Sequence, residues 1–138
     1  MAMSLDMVKA FFDSKNLKYR EVNNGKTISV GFSGMPNAGS VEILVFFDED
    51  DGAIALRSFN LLTVSDDLKP KMYKVCSELN MKFRWVKFFV DDNDNTVTVA
   101  DDAVTQLDSV GEEAFELVIR MTRIIDDAYP VLMKAKFA

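Results

Sequence analysis

The sequence predicts an α+β fold, with helices packed on an antiparallel β-sheet in the order αββββαββα. Runs of alternating apolar and polar residues, which are typical of strands, form two groups along the chain. Helical periodicity precedes, separates and follows these groups, and short turn signals join the strands within each group. The chain has 138 residues, of which 49% are apolar, enough for one core. We therefore expect a single domain over residues 1–138.

The first half contains one helix and four strands. Leu5, Val8, Phe11 and Phe12 recur on one face of a helix over residues 5–15. Strands are predicted near 17–22 and at 26–32, 40–47 and 52–59. Asn and Gly residues favour positive φ, so residues 23–25 indicate a turn between the first two strands. The pair at 51–52 (Asp-Gly) predicts a two-residue hairpin between the last two.

The second half contains a helix, a hairpin and a long helix. The first helix covers residues 66–79 with Pro70 in its first turn, where a missing N–H costs little. A hairpin follows over 83–100, and a final helix over 111–133, which Pro130 is expected to kink or end. Apolar residues recur along this last helix at spacings of four and three, forming a seam: Ala114, Val118, Met121, Ile125, Ala128, Leu132 and Ala135.

The acidic run Asp91–Asn95 resembles a calcium loop in part, since oxygen-bearing side chains recur at the spacing of an EF-hand. Thr96 stands where that loop needs glycine, and the flanking segments alternate like strands rather than helices. We therefore interpret the run as a hairpin tip and expect no metal site.

Several classes of catalytic site are excluded by residue type. The chain has no histidine, and its lone cysteine, Cys76, has no partner for a disulfide or a zinc site. We expect Cys76 to be a buried small hydrophobe. The sequence also lacks a glycine-rich phosphate loop. We predict that the protein is not an enzyme and uses no cofactor.

Charge and hydropathy argue against further classes of protein. A net charge of −6 and a pI near 4.6 argue against nucleic-acid binding. The basic and aromatic stretch 82–89 (KFRWVKFF) is interpreted as a buried strand whose basic side chains reach the surface. No secretory signal or transmembrane helix is predicted, so we expect a cytoplasmic protein without membrane contact.

Two predicted strands carry apolar residues on both faces, which requires cover on both sides. In strand 40–47, Leu44 and Phe46 point away from the Val and Ile residues of the other face. In the strand predicted at 83–90, Trp85 shares a face with Phe83 and Phe89. Leu44, Phe46 and Trp85 are therefore the candidate protein-binding residues.

The last helix is apolar over more than half of its circumference, more than one sheet face can cover. Leu117, Ile124 and Val131 lie together on one flank of the seam. We expect this flank to form the interface of a homodimer, although the sequence does not decide which flank faces the partner.

With its order of elements, the chain resembles the YbjN family, bacterial proteins with the fold of type III secretion chaperones. The most specific part is CSELNMKFRWVKFFVDDNDNTVTVADDAV, residues 76–104, and the helix end at 127–130 adds to it. The resemblance implies a small acidic dimer that holds extended segments of partner proteins on apolar patches. YbjN proteins are labelled sensory-transduction regulators without a defined mechanism, and no catalytic residues carry over.

Two functions remain open at this point. The first is a non-enzymatic protein-interaction module that binds an apolar or extended segment, on the sheet face or as a strand added to an open edge. The second is a small-ligand sensor with a regulatory output. A large enclosed pocket with convergent polar groups would favour the sensor, and an open apolar surface would favour the binding module.

Overall fold

The computed structural model describes residues 3–137, and its element order αββββαββα is the predicted one. The elements are α1 (Met3–Ser14), β1 (Arg20–Val22), β2 (Thr27–Met35), β3 (Gly39–Phe47), β4 (Ala53–Ser58), a 3-10 turn (Asp66–Leu68), α2 (Lys69–Lys82), β5 (Lys87–Asp91), β6 (Thr96–Val104) and α3 (Val110–Lys136).

The six strands form one antiparallel sheet in the order β1-β2-β3-β4-β6-β5. The second hairpin therefore joins the first group of strands through β6, which pairs with β4. Paired residues in an antiparallel sheet point to the same face. Ile28, Val45 and Leu56 consequently share one face, which we call the inner face, and Ser29, Leu44 and Arg57 share the other, which we call the open face.

All three helices pack on the inner face. The α3 seam predicted from its spacing is confirmed, because each of its seven residues is buried. The inner-face residues of β2, β3 and β4 complete this core, and α2 covers the β5 end of the sheet. α1 packs against α3 so closely that a Cβ added at Gly111 would lie 2.7 Å from the Cβ of Phe11.

Two local predictions were wrong, and one of two alternatives is excluded for a third. The β3–β4 connection is a five-residue loop over 48–52 rather than a two-residue hairpin, and only Asp51 has positive φ (62°) in it. Pro130 was expected to kink or end the last helix, and the end is excluded, since α3 continues to Lys136. The strand predicted from residue 83 begins at Lys87, because α2 runs on to Lys82 and residues 83–86 form a turn.

The acidic run is the tip of the β5–β6 hairpin, as predicted. Asp91 is the last residue of β5 and pairs with Thr96, the first residue of β6. The Asp91 carboxylate accepts a hydrogen bond from the Asn93 N–H at 2.9 Å, and the Asp94 carboxylate accepts one from the Thr96 hydroxyl at 2.6 Å. These carboxylates therefore stabilise the turn.

Candidate binding surface on the open face of the sheet

The open face carries an apolar cluster that no helix of residues 3–137 covers. Leu44 and Phe46 of β3 lie on this face and are half-buried, whereas their neighbours Ile43 and Val45 on the inner face are fully buried. β3 therefore has the two-sided apolar character predicted from the sequence, but cover is present on one side only.

A break in β4 adds Phe59 to this cluster. β4 ends at Ser58, Asn60 has φ 55°, and the chain then resumes beside β6, where the Leu61 N–H donates to the Val97 carbonyl at 3.0 Å. The extra residues form a bulge, which re-aims side chains. The Phe59 ring meets the Phe46 ring edge-on, with centroids 6.5 Å apart, and Phe59 remains 49% exposed.

Sequence reasoning did not identify Phe59. The available signal was the Asn that follows it within an apolar run, since Asn favours the left-handed conformation that a bulge requires. Leu44, Phe46 and Phe59 are referred to below as the open-face cluster.

Paired charges border the open-face cluster. The Arg57 guanidinium donates to both carboxylate oxygens of Asp102, at 2.7 and 3.4 Å. On the other side, the Glu42 carboxylate accepts from the Ser29 hydroxyl at 2.5 Å and from Arg20 at 3.3 Å. These polar groups form hydrogen bonds with one another around the apolar residues. The open face therefore has an apolar centre and a polar rim, the arrangement found in protein–protein interfaces.

Phe46 also lines a surface hollow of about 340 Å³ at the end of the sheet, together with Leu5 of α1, Phe47 and residues of the β1–β2 turn. A second hollow, of about 450 Å³, lies after α1 and is lined by Asp13, Asn16, Leu17, Lys18 and Tyr19. Both are surface features, whereas the space between sheet and helices is filled by the buried core. The hollow beside Phe46 is of a size to receive a side chain of a partner.

The two edges of the sheet differ in their access to a further strand. At the β5 edge, the Asn80 side chain accepts from the Phe88 N–H at 2.6 Å and donates to the Phe88 carbonyl at 3.0 Å. These two bonds replace a strand partner and close that edge. At the opposite edge, β1 pairs only with residues 27–29 of β2. Within the described residues, the rest of β2 has no strand on that side.

The structure does not bring Trp85 together with Leu44 and Phe46. Trp85 precedes β5, in the turn after α2, and its ring lies 4.9 Å from the guanidinium carbon of Arg120 on α3. It therefore lies on the helix side of the sheet. The interpretation of residues 82–89 as one buried strand is corrected accordingly: Arg84 and Trp85 are exposed, and only residues from Lys87 onward are in β5.

The three candidate interface residues of α3 differ in exposure. Leu117 and Ile124 are half-buried and pack against the protein's own core, while Val131 is 44% exposed. The spacing of seven places all three on one flank of the helix, as expected.

Two buried titratable groups lie away from the open face. Burial raises the pKa of the Cys76 thiol from 9.0 to about 11, so the thiol is a poor nucleophile. Asp101 lies on the inner face opposite Leu56. Burial, followed by the charge of Asp102, raises the pKa of Asp101 from 3.8 to about 6. Among residues 3–137, no three Cys, Asp or Glu side chains are grouped as metal ligands.

The sequence model of the YbjN family, described as "Putative bacterial sensory transduction regulator", matches residues 4–131. The chain belongs to the YbjN family. The crystal structure of YbjN from E. coli superposes on it with a TM-score of 0.65 and 17% identity, covering 90% of this chain and 89% of that one.

The fold of this YbjN-family chain is also that of type III secretion chaperones. The ExsC–ExsE complex matches with a TM-score of 0.59 and 14% identity, covering 100% of this chain and 99% of that one. The ExoU–SpcU complex from Pseudomonas aeruginosa matches with a TM-score of 0.58 and 14% identity, covering 94% and 97%. No curated protein matches the chain in sequence. No helix described here combines the length and apolarity needed to cross a bilayer.

Proposed function

We propose that this YbjN-family protein is a non-enzymatic protein-binding module that holds an extended apolar segment of a partner against the open-face cluster. The observation that carries the proposal is the uncovered group of Leu44, Phe46 and Phe59 on a sheet whose other face is fully packed. Contiguous exposed apolar residues with a polar rim are typical of protein interaction sites.

The fold comparisons support the same class of function. The structurally similar ExoU–SpcU and HopA1–SchA structures are, respectively, a heterodimeric complex from a type III secretion system and a chaperone–effector complex. Their low identity establishes fold alone, so partner binding by this chain rests on its own surface.

The mechanism is burial of apolar side chains from an extended segment. Each large aliphatic or aromatic side chain removed from water contributes about 1.5–3 kcal/mol. Phe59 and Phe46 supply rigid aromatic contacts, and the hollow beside Phe46 can receive one side chain of the segment. The length of β2 beyond Ser29, which β1 does not cover, offers backbone groups for an added strand as a separate mode of binding at the sheet edge.

The test uses a labelled peptide in which Leu and Val alternate with Thr and Ser, and a scrambled peptide of the same composition. We expect the alternating peptide to bind with a micromolar Kd, measured by fluorescence anisotropy. The double variant Leu44→Ser/Phe46→Ser should remove at least about 1.4 kcal/mol of binding free energy, which corresponds to an affinity about tenfold weaker. Met81→Ser, which changes an 86% exposed apolar residue at the end of α2, should leave it unchanged.

Unchanged affinity in the Leu44→Ser/Phe46→Ser variant, with its fold intact by circular dichroism, would place the binding elsewhere and overturn the proposal. Equal loss in Met81→Ser would show a general effect of surface hydrophobicity rather than a site.

Three finer statements belong to the same proposal. The family description supports a regulatory role, in which partner capture changes the activity of the partner. The homodimer through the flank of Leu117, Ile124 and Val131 and the cytoplasmic location stay predictions. Light scattering and cell fractionation, respectively, test them.

A further inference from the structure

Trp85 lies beneath two guanidinium groups on the helix side of the sheet. The guanidinium carbons of Arg84 and Arg120 lie 4.8 and 4.9 Å from the Trp85 ring. Trp85 is nevertheless 48% exposed. Stacking of Arg on Trp fixes the guanidinium plane while its N–H edge stays open to hydrogen bonding.

The backbone at Trp85 is held in an unfavourable conformation. Its φ of 67° lies in the left-handed region, which is an outlier for a bulky residue. Both sides of the turn are fixed: the Phe83 N–H donates to Leu79 O at 2.9 Å at the end of α2, and Asn80 holds Phe88 of β5. Strain maintained by the surrounding structure concentrates at functional sites. At this position the strained backbone directs the Trp85 side chain outward, so that it lies in solvent beside α3.

The surroundings of Trp85 are basic in an acidic protein. Lys82 and Arg84 closely precede Trp85 in the chain, and Arg123 lies one helical turn from Arg120. Glu116 pairs with Arg120 at 3.4 Å, an exposed pair that contributes little. Within residues 3–137, Arg84 has no carboxylate within 4.0 Å. The local charge is therefore positive although the whole chain carries −6.

We propose that Arg84, Trp85 and Arg120 form a docking site for an acidic segment of a partner protein. Guanidinium groups bind carboxylates with two parallel hydrogen bonds, and Trp with Arg are the residue types that contribute most at protein interfaces. A nucleic acid fits less well, because its extended phosphate backbone would meet the negative charge of the rest of the protein. The site is separate from the open-face cluster and does not depend on the function proposed for it.

The test uses a labelled dodecapeptide in which Asp and Glu alternate with Ser and Gly. A peptide with Asn and Gln in their place and a single-stranded oligonucleotide serve as comparisons. Trp85 is the one tryptophan of the chain, so its fluorescence reports binding directly. We expect the acidic peptide to change the Trp85 emission and to bind less tightly as salt rises, while the neutral peptide does not bind.

Arg84→Ala and Arg120→Ala should each weaken binding about fivefold, measured by anisotropy of the labelled peptide. Arg84→Lys should also weaken it, because lysine lacks the planar fork. Lys18→Ala, which removes one exposed positive charge at the β1 end of the sheet, should leave affinity unchanged. The Leu44→Ser/Phe46→Ser variant should also bind normally, which separates this site from the open face.

Four outcomes would overturn the proposal. They are no binding of the acidic peptide, equal weakening by Lys18→Ala, tighter binding of the oligonucleotide than of the peptide, and self-association that the Arg84→Ala change abolishes. Light scattering of the same samples detects the last of these, in which the acidic loops of a second copy would be the occupant.

Discussion

The side-chain amide of Asn37 donates a hydrogen bond to the backbone carbonyl of Asp126, at 3.1 Å. This carbonyl is the one that Pro130 leaves without an intrahelical partner, because proline has no N–H to donate four residues back along the helix. The Asp126 carboxylate in turn accepts from the N–H groups of Asn37 and Ala38, at 2.9 and 2.8 Å. The β2–β3 turn therefore supplies the hydrogen bond that Pro130 removes from α3, and the Asp126 carboxylate of α3 in turn holds the backbone of the turn.

A double-mutant cycle tests this compensation. Asn37→Ala should destabilise the protein by about 1 kcal/mol, the usual contribution of one hydrogen bond. In a Pro130→Ala background the Asp126 carbonyl regains a helical donor, so Asn37→Ala should cost less there. Urea unfolding of the four proteins gives the coupling energy. Equal costs in both backgrounds would show that the Asn37 bond does not compensate for Pro130.

The contact between α1 and α3 predicts a second outcome. Gly→Ala inside a helix ordinarily gains up to about 1 kcal/mol. At Gly111 the new methyl group would lie 2.7 Å from Phe11 Cβ and 3.2 Å from the backbone oxygen of Met7. Overpacking costs about 1–3 kcal/mol, so Gly111→Ala should be destabilising on balance. Gly31→Ala, where no atom lies within 4 Å of the added carbon, is the matched control. A more stable Gly111→Ala protein would contradict this packing.

The element order, the α3 seam and the acidic hairpin tip could be predicted because each depends on local periodicity or turn chemistry. The sequence left open whether Pro130 ends α3, because the residue that compensates for the missing N–H, Asn37, lies 89 residues away in the chain. Spacing within a helix contains no information about such a partner.

Residues 83–86 were predicted wrongly for a different reason. Basic residues are interspersed among apolar ones from Lys82 to Phe89, and this pattern was interpreted as one buried strand. Asn80 instead anchors Phe88 from the last turn of α2, which leaves too little chain for a longer strand. Leu44 and Phe46 were placed correctly on one face because β3 is regular. Trp85 does not lie beside them because it is in an irregular turn rather than in a regular strand.

Asp101 predicts a pH dependence of stability. Burial raises its pKa in the folded state to about 6, from an ordinary 3.8. Between these pH values the folded state binds more protons than the unfolded state, so this group's contribution falls as pH rises through that window. Asp101→Asn should therefore gain stability relative to the parent as pH rises from about 4 to about 7. The gain should reach about 1–2 kcal/mol, allowing for solvent screening.

Urea unfolding at several pH values measures this difference, and Asp108→Asn controls for the loss of one exposed negative charge. A stability difference between Asp101→Asn and the parent that stays constant with pH would contradict burial of the carboxyl group.

Cys76 predicts slow chemical modification. Its thiol is buried, and burial raises its pKa from 9.0 to about 11, which lowers the reactive thiolate fraction about 100-fold near neutral pH. A thiol reagent should therefore label the folded protein at least about 100-fold more slowly than the urea-unfolded protein. Labelling of the folded protein at the unfolded rate would show that α2 does not bury this residue.

The last prediction concerns the homodimer, for which α3 supplies one exposed flank residue. Leu117 and Ile124 pack against the core, so glutamate at either position should unfold the monomer and cannot test association. Val131 is 44% exposed, so Val131→Glu should leave the fold intact.

Two Val131 side chains related by two-fold symmetry, each 44% exposed in the monomer, contribute about 1–3 kcal/mol, against an association cost of about 4–15 kcal/mol. Val131 alone is therefore insufficient, and the predicted dimer is weak and also requires burial of the exposed parts of Leu117 and Ile124. Light scattering over a range of concentrations should show the mass rising from 15.5 kDa towards twice that value. Val131→Glu should remain monomeric throughout, while Val104→Glu, on β6, should behave like the parent. A mass of 15.5 kDa at every concentration would refute the dimer and would mean that the monomer's own core suffices to cover this flank.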